Sequence, residues 1–194
     1  YVGLAAIRGL LAAGQRDLGE SRVQQLMPRV AALGAAGAAG PTWHLIGHLQ
    51  RNKVKYLLPD VRLIHAVDSR RLAEQISTLA GRAGVTVAVF VEVNIAGEAS
   101  KHGVAPGDTA ELLGTVADLA AIEPLGLMTM APLSDDPERS RPHFAGLREL
   151  LQTCRDRGTV GPGCRYLSMG MSGDYAVAIE EGATHVRVGS ALFN

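Results

Sequence analysis

Several features are scarce or missing in these 194 residues, and each shortage removes a class of function. Cysteine occurs twice, at Cys154 and Cys164. Two thiols cannot build a disulfide scaffold, and a reduced pair in the cytoplasm is the simpler expectation. Neither sign of charge is in excess, because nineteen basic side chains cancel nineteen acidic ones. A nucleic-acid binder would carry a basic surplus, so that class of partner is not expected. No apolar run approaches the roughly 18 residues of a membrane span. The histidines and cysteines show no zinc-ligand spacing, and no metal is expected. Walker, GxGxxG and nucleophile-elbow motifs are also missing. The first residue is Tyr1, not Met, and no charged leader with an apolar core follows it. The chain is therefore expected to begin inside a longer native one.

What is present is an ordinary globular composition, 47% hydrophobic and 20% charged, although only 4% is aromatic. Length allows one domain, or two small ones. Short runs rich in Val, Ile and Leu alternate with stretches of helical period. A helix is predicted over Val2–Ala13 and stopped by Gly14, then a short strand over Arg16–Gly19. Ser21 and Gln24 have the spacing of a capping box for a helix to Leu33. The Ala/Gly stretch from Gly34 to Gly40 reads as a flexible connection. Further strands are expected at Trp43–Gly47, Val61–Val67, Val85–Val93, Leu125–Met130, Arg165–Met169 and His185–Val188. Helices are expected between them, including one over Leu49–Leu58 that Pro59 ends.

Near-continuous apolar strands alternating with amphipathic helices imply a parallel sheet covered by helices. An open doubly wound sheet accepts any strand number, whereas a (β/α)8 TIM-type barrel needs eight. Seven strands and an opening helix suggest a barrel whose first strand lies upstream of Tyr1. The barrel is preferred because the loops after the last two strands have the character of its phosphate site.

The segment Leu167–Asp174 (LSMGMSGD) ends a strand, turns on small residues and opens a helix. Such a turn brings backbone amides close to an anion, with Ser168, Gly170 and Ser172 as its candidates. Val186–Ser190 repeats the design on the next strand with Gly189 and Ser190. Arg187 has no carboxylate beside it in sequence, so it should face a ligand or a distant acid. In Trp43–Lys53 (WHLIGHLQRNK), His44 suits hydrogen bonding or stacking at a barrel mouth, although a satisfied core histidine is the commoner fate. Arg51, Lys53 and Lys55 read as a solvated helix face. Asn94–Gly103 is a polar loop after the longest strand.

WHLIGHLQRNK, VNIAGEASKHG, GLMTM, LSMGMSGD and VRVGSALF, in this order, resemble the pyridoxal-phosphate homeostasis protein family over about Gly14–Asn194. The resemblance implies a single barrel domain similar to the N-terminal domain of alanine racemase, the type III pyridoxal-phosphate fold. It implies pyridoxal 5′-phosphate as cofactor, held by a lysine Schiff base. That lysine is expected upstream of Tyr1, since Lys53, Lys55 and Lys101 lie outside the family's lysine motif. Ser21 departs from the asparagine more usual in the family after Gly-Glu. The resemblance further implies that Ser168, Ser172, Gly189 and Ser190 hold the phosphate, that Arg187 faces the pyridine nitrogen, and that His44 and Met128 border the cofactor.

An arginine at the ring nitrogen leaves that nitrogen unprotonated and weakens the ring as an electron sink, which disfavours transamination. Racemisation needs acid–base groups on both faces of the cofactor adduct. Alanine racemase supplies one of them from a second domain and a partner subunit, and no such domain is expected here after the last strand. Tyr166 and Tyr175 are the nearest tyrosines in sequence. The expectation is therefore a non-catalytic, monomeric carrier that buffers and delivers pyridoxal phosphate, with apo-enzymes as recipients. An amino-acid racemase is the alternative, and a barrel for another phosphorylated metabolite is a third.

Overall fold

The computed structural model describes residues 2–34, 40–98 and 101–193. Seven parallel strands follow one another in chain order. They are β1 (Asp17–Glu20), β2 (Thr42–Leu45), β3 (Leu63–Val67), β4 (Val87–Glu92), β5 (Ile122–Met128), β6 (Tyr166–Met171) and β7 (His185–Arg187). Among the described residues six α-helices accompany them: α1 (Leu4–Ala12), α2 (Val23–Leu33), α3 (Arg70–Arg82), α4 (Thr109–Ala117), α5 (Arg141–Asp156) and α6 (Tyr175–Glu180).

Contacts across the sheet show that it curls. Neighbouring strands lie about 4.8 Å apart, so β3 and β7 in a flat sheet would stand about 19 Å apart. Instead the rings of His65 and His185 are 6.0 Å apart, and the His65 ring nitrogen is 2.8 Å from the Ser168 hydroxyl on β6. The sheet is a nearly closed barrel. The competing open doubly wound sheet is excluded, because strand order never reverses.

Alternation along the strands produces two cores. In β4, Val87, Val89 and Val91 point outward and pack with the buried faces of the helices. Phe90 points inward and meets Ala66 and Met128 in a small inner cluster. The helices are amphipathic as their periods require. Leu72, Ala73, Ile76 and Ala80 form the buried stripe of α3, and Phe144, Leu147 and Leu151 that of α5.

Two local expectations are corrected. Ser21 forms no capping box; α2 begins at Val23 with Arg22 at its N-cap and no side-chain cap. A Cβ on Gly47 would lie only 2.4 Å from the Ser21 carbonyl oxygen, so the Ser21 backbone lies tight against the chain leaving β2. The helix expected at Leu49–Leu58 is a 3-10 turn over Arg51–Tyr56. Its lysines lie near the Tyr56 ring, Lys55 with its Nζ 5.0 Å from the centroid. The connection through residues 35–39 lies outside the described residues. No helix among the described residues is long and apolar enough to cross a membrane.

Candidate functional site

The site is built where β6 and β7 end. Asp174 shapes the first turn by accepting hydrogen bonds from the Met171 amide (2.6 Å) and the Ser140 hydroxyl (2.9 Å). Gly170 has φ +89, and an added Cβ would meet the Ala178 Cβ at 2.5 Å. Only glycine lets this turn lie so close to α6. Arg141 ties α5 to α6 through Glu180 (2.6 Å) and Glu181 (3.0 Å).

The Ser172 hydroxyl then joins the two turns. Its Oγ accepts from the Gly189 amide (3.1 Å) and the Ala191 amide (3.4 Å). Two backbone N–H groups of the last turn thus converge on one oxygen, at the barrel end where parallel α/β folds bind anions. Ser190 is exposed at the start of the 3-10 turn beyond Gly189.

The structure separates Ser168 from that pair. Its side chain is fully buried, and its hydroxyl accepts from Arg187 Nη1 at 2.8 Å. It also meets His65 Nδ1 at 2.8 Å. Arg187 Nη2 donates to the Thr129 carbonyl at 3.0 Å. Arg187 makes no salt bridge among the described residues; burial draws its pKa down to about 10, opposed by the charges of Glu92 and Asp174. These bonds use two of the five N–H donors of the guanidinium.

His44 is buried inside the barrel, bonded to His65 at 3.0 Å and to Asp17 at 3.2 Å. Burial lowers the pKa of both imidazoles, that of His65 to about 2. A Ser–His–His–Asp succession suggests a charge relay to a nucleophile. The Ser168 oxygen is buried and already held by a guanidinium, unlike an exposed nucleophile. Met128 is fully buried in the inner cluster and stands in register between Glu92 and Ser168.

Sequence reasoning missed Glu92, His65 and the His48 group. Glu92 is 3% exposed, and its Oε2 has no hydrogen-bond partner. Burial, reinforced by the Asp68 charge and opposed by that of Arg187, raises its pKa to about 7. A lone acid in Val-Ala-Val-Phe-Val-Glu was the available signal, since no central strand holds a carboxylate idly. His48, Asp68 and His102 offer ligand atoms within 4.8 Å of one another. They follow three different strands, which is why no sequence spacing discloses them. Their geometry is not that of a formed metal centre, because the two imidazoles lie parallel (12°) at 4.0 Å and in-plane lone pairs of parallel rings do not converge. In the Asn94–Gly103 loop, residues 99–100 lie outside the described residues. The rest turns back so that Val104 bridges Val93.

The arrangement therefore offers two amides converging on an oxygen, a guanidinium with spare donors, and a buried carboxyl whose Oε2 lacks a partner. The two amides and the guanidinium fit an anionic ligand. The alanine racemase N-terminal domain family matches residues 2–194. The pyridoxal phosphate homeostasis protein of Aquifex aeolicus is 43% identical over 187 residues, spanning 96% of this chain and 80% of that protein. PipY of Synechococcus elongatus without PLP superposes with a TM-score of 0.89 at 36% identity, covering 98% of this chain and 87% of that one. The structure of PipY with PLP bound gives 0.86 at 35% identity, with the same coverage. Alanine racemase of Clostridium difficile shares the fold alone, with a TM-score of 0.79 at 14% identity over 98% of this chain and 50% of that one. The parallel barrel, its paired terminal turns and these matches agree: the chain belongs to the pyridoxal phosphate homeostasis protein family, built on the fold of the alanine racemase N-terminal domain.

Proposed function

We propose that the protein binds pyridoxal 5′-phosphate, buffers it and delivers it to recipient apo-enzymes in the cytoplasm, without catalysing a reaction itself. The observation that carries this reading is the convergence of the Gly189 and Ala191 amides on Ser172 Oγ. The same donors and hydroxyl would bind phosphate oxygens, with Ser190 beside them. Ser168 would contribute through Arg187, whose guanidinium stays protonated at neutral pH and donates toward the pyridine nitrogen. Bound pyridoxal phosphate supplies an aldehyde and an electron-withdrawing ring. Lys53 and Lys55 belong to a surface 3-10 turn and Lys101 to the loop after β4, and the lysine that the family resemblance implies is read as preceding Tyr1. The absence of catalysis is supported by His44 and His65, which spend both ring nitrogens on protein partners and so offer no free base.

One observation favours a second reading, an amino-acid racemase or related enzyme: the Glu92 carboxyl is buried with its Oε2 unpartnered, and burial raises its pKa to about 7. Titration with pyridoxal phosphate, followed by absorbance, tests binding. The pair Ser172→Ala and Ser190→Ala should weaken it by at least about tenfold, since a hydrogen bond to a charged group contributes about 1.5–3 kcal/mol. Unchanged affinity would remove the phosphate assignment, and tighter binding of another phosphorylated metabolite would replace the ligand. Exchange of amino-acid α-protons in deuterated water should be undetectable; rapid exchange would favour the racemase.

A further inference from the structure

A continuous line of hydrogen bonds runs through the barrel interior from Arg187, the last residue of β7, to Asp17, the first residue of β1. Because the strands are parallel, these residues lie toward opposite ends of the barrel. The links are Arg187 Nη1 to Ser168 Oγ (2.8 Å), Ser168 Oγ to His65 Nδ1 (2.8 Å), His65 Nε2 to His44 Nδ1 (3.0 Å) and His44 Nε2 to Asp17 Oδ1 (3.2 Å). The Asp17 side chain is 66% exposed, whereas that of His44 is 8% exposed.

Donor counting gives the line a single direction. A guanidinium only donates, so Ser168 Oγ is an acceptor at that end. The hydroxyl's own proton then serves His65 Nδ1. A neutral imidazole has one N–H, so that of His65 sits on Nε2 and serves His44 Nδ1. The His44 proton sits on Nε2 and meets a carboxylate, which only accepts. Burial keeps both imidazoles neutral, as this arrangement requires. Reversing the tautomers would set the bare His44 Nε2 against the carboxylate, lone pair to lone pair. It would also direct both His65 and Arg187 at the Ser168 oxygen, leaving the buried hydroxyl proton without a partner.

We propose that Asp17 is a positioning residue for Arg187: its carboxylate fixes the tautomers of His44 and His65, so that the Ser168 proton goes to His65 and the Ser168 oxygen is left to the guanidinium alone. The relevance to ligand binding rests on the reading of Arg187 as the residue facing the cofactor ring. A further consequence is that the Ser168 proton is committed to His65, leaving the phosphate to the Ser172 turn.

Long-range 1H–15N correlation spectra of the full chain, without cofactor, test the relay directly. His44 and His65 should both carry their proton on Nε2. Asp17→Asn, whose amide donates as well as accepts, should move His44 toward the Nδ1–H form. It should also speed exchange of the Arg187 guanidinium protons by at least about tenfold. Asp17→Glu should restore both signals. Nδ1–H tautomers in the wild type, or tautomers and Arg187 exchange unchanged in Asp17→Asn, would overturn the proposal. A parallel pyridoxal phosphate titration separates the two readings. Loss of binding in Ser172→Ala with intact tautomers leaves the relay standing, whereas a wild type that binds no pyridoxal phosphate defeats the cofactor reading while the spectra still decide the relay.

Discussion

Replacing Glu92 by glutamine isolates the cost of placing a carboxyl inside the barrel. Burial is the main cause of its raised pKa, from 4.5 to about 7, and its Oε2 has no partner to offset that burial. At about 1.36 kcal/mol per tenfold change, the rise corresponds to about 3 kcal/mol of selection against the charged form in the folded state. The sign follows from proton counting. Below pH 4.5 both folded and unfolded chains hold the proton, and the group contributes no difference. Between 4.5 and about 7 the unfolded chain ionises first, so stability falls as pH rises. Above about 7 both states are charged and the whole loss is present. Glutamine cannot ionise, so Glu92→Gln should gain about 3 kcal/mol on the wild type between acid pH and about pH 8. Urea unfolding of cofactor-free protein, followed by circular dichroism at constant ionic strength, measures this difference of differences. Parallel stability curves for the two proteins across that window would refute the reasoning.

Two further predictions concern packing. Gly170→Ala puts a Cβ within 2.5 Å of the Ala178 Cβ at a φ of +89. Positive φ costs about 1–2 kcal/mol and overpacking about 1–3 kcal/mol, so the midpoint of denaturation should fall and anion binding should weaken with it. An unchanged midpoint would mean that the turn does not lie against α6. Phe144→Ala, at a fully buried position of α5, should cost about 3–5 kcal/mol and leave the tautomers of His44 and His65 unchanged. The same unfolding titration and 15N spectra check both halves of that statement.

The amino-acid sequence by itself determined the alternation of strand and helix and the approximate place of every strand. The reason is that the outward strand faces and the inward helix stripes join a single apolar shell, and shells of that kind leave a periodic trace. Gly14 marked the end of α1 correctly because its positive φ is a local backbone requirement. The small-residue turns that end β6 and β7 were legible too, since only small residues let the backbone lie as close as Gly170 does to α6.

Only the tertiary structure decided what the inward-facing polar residues do. Ser168 and Ser172 look alike in LSMGMSGD, yet one is sealed in the barrel against Arg187 and the other bridges two turns. His44, His65 and Asp17 are scattered along the chain but meet because β1, β2 and β3 are neighbours, and His65 reaches Ser168 on β6 because the sheet curls. The missing capping box at Ser21 and the 3-10 turn at Arg51–Tyr56 likewise followed from what packs around them rather than from their own residues. Burial and hydrogen bonding across the barrel depend on separations in space that no spacing along the chain encodes, and they set which groups bind, which hold protons and which only support.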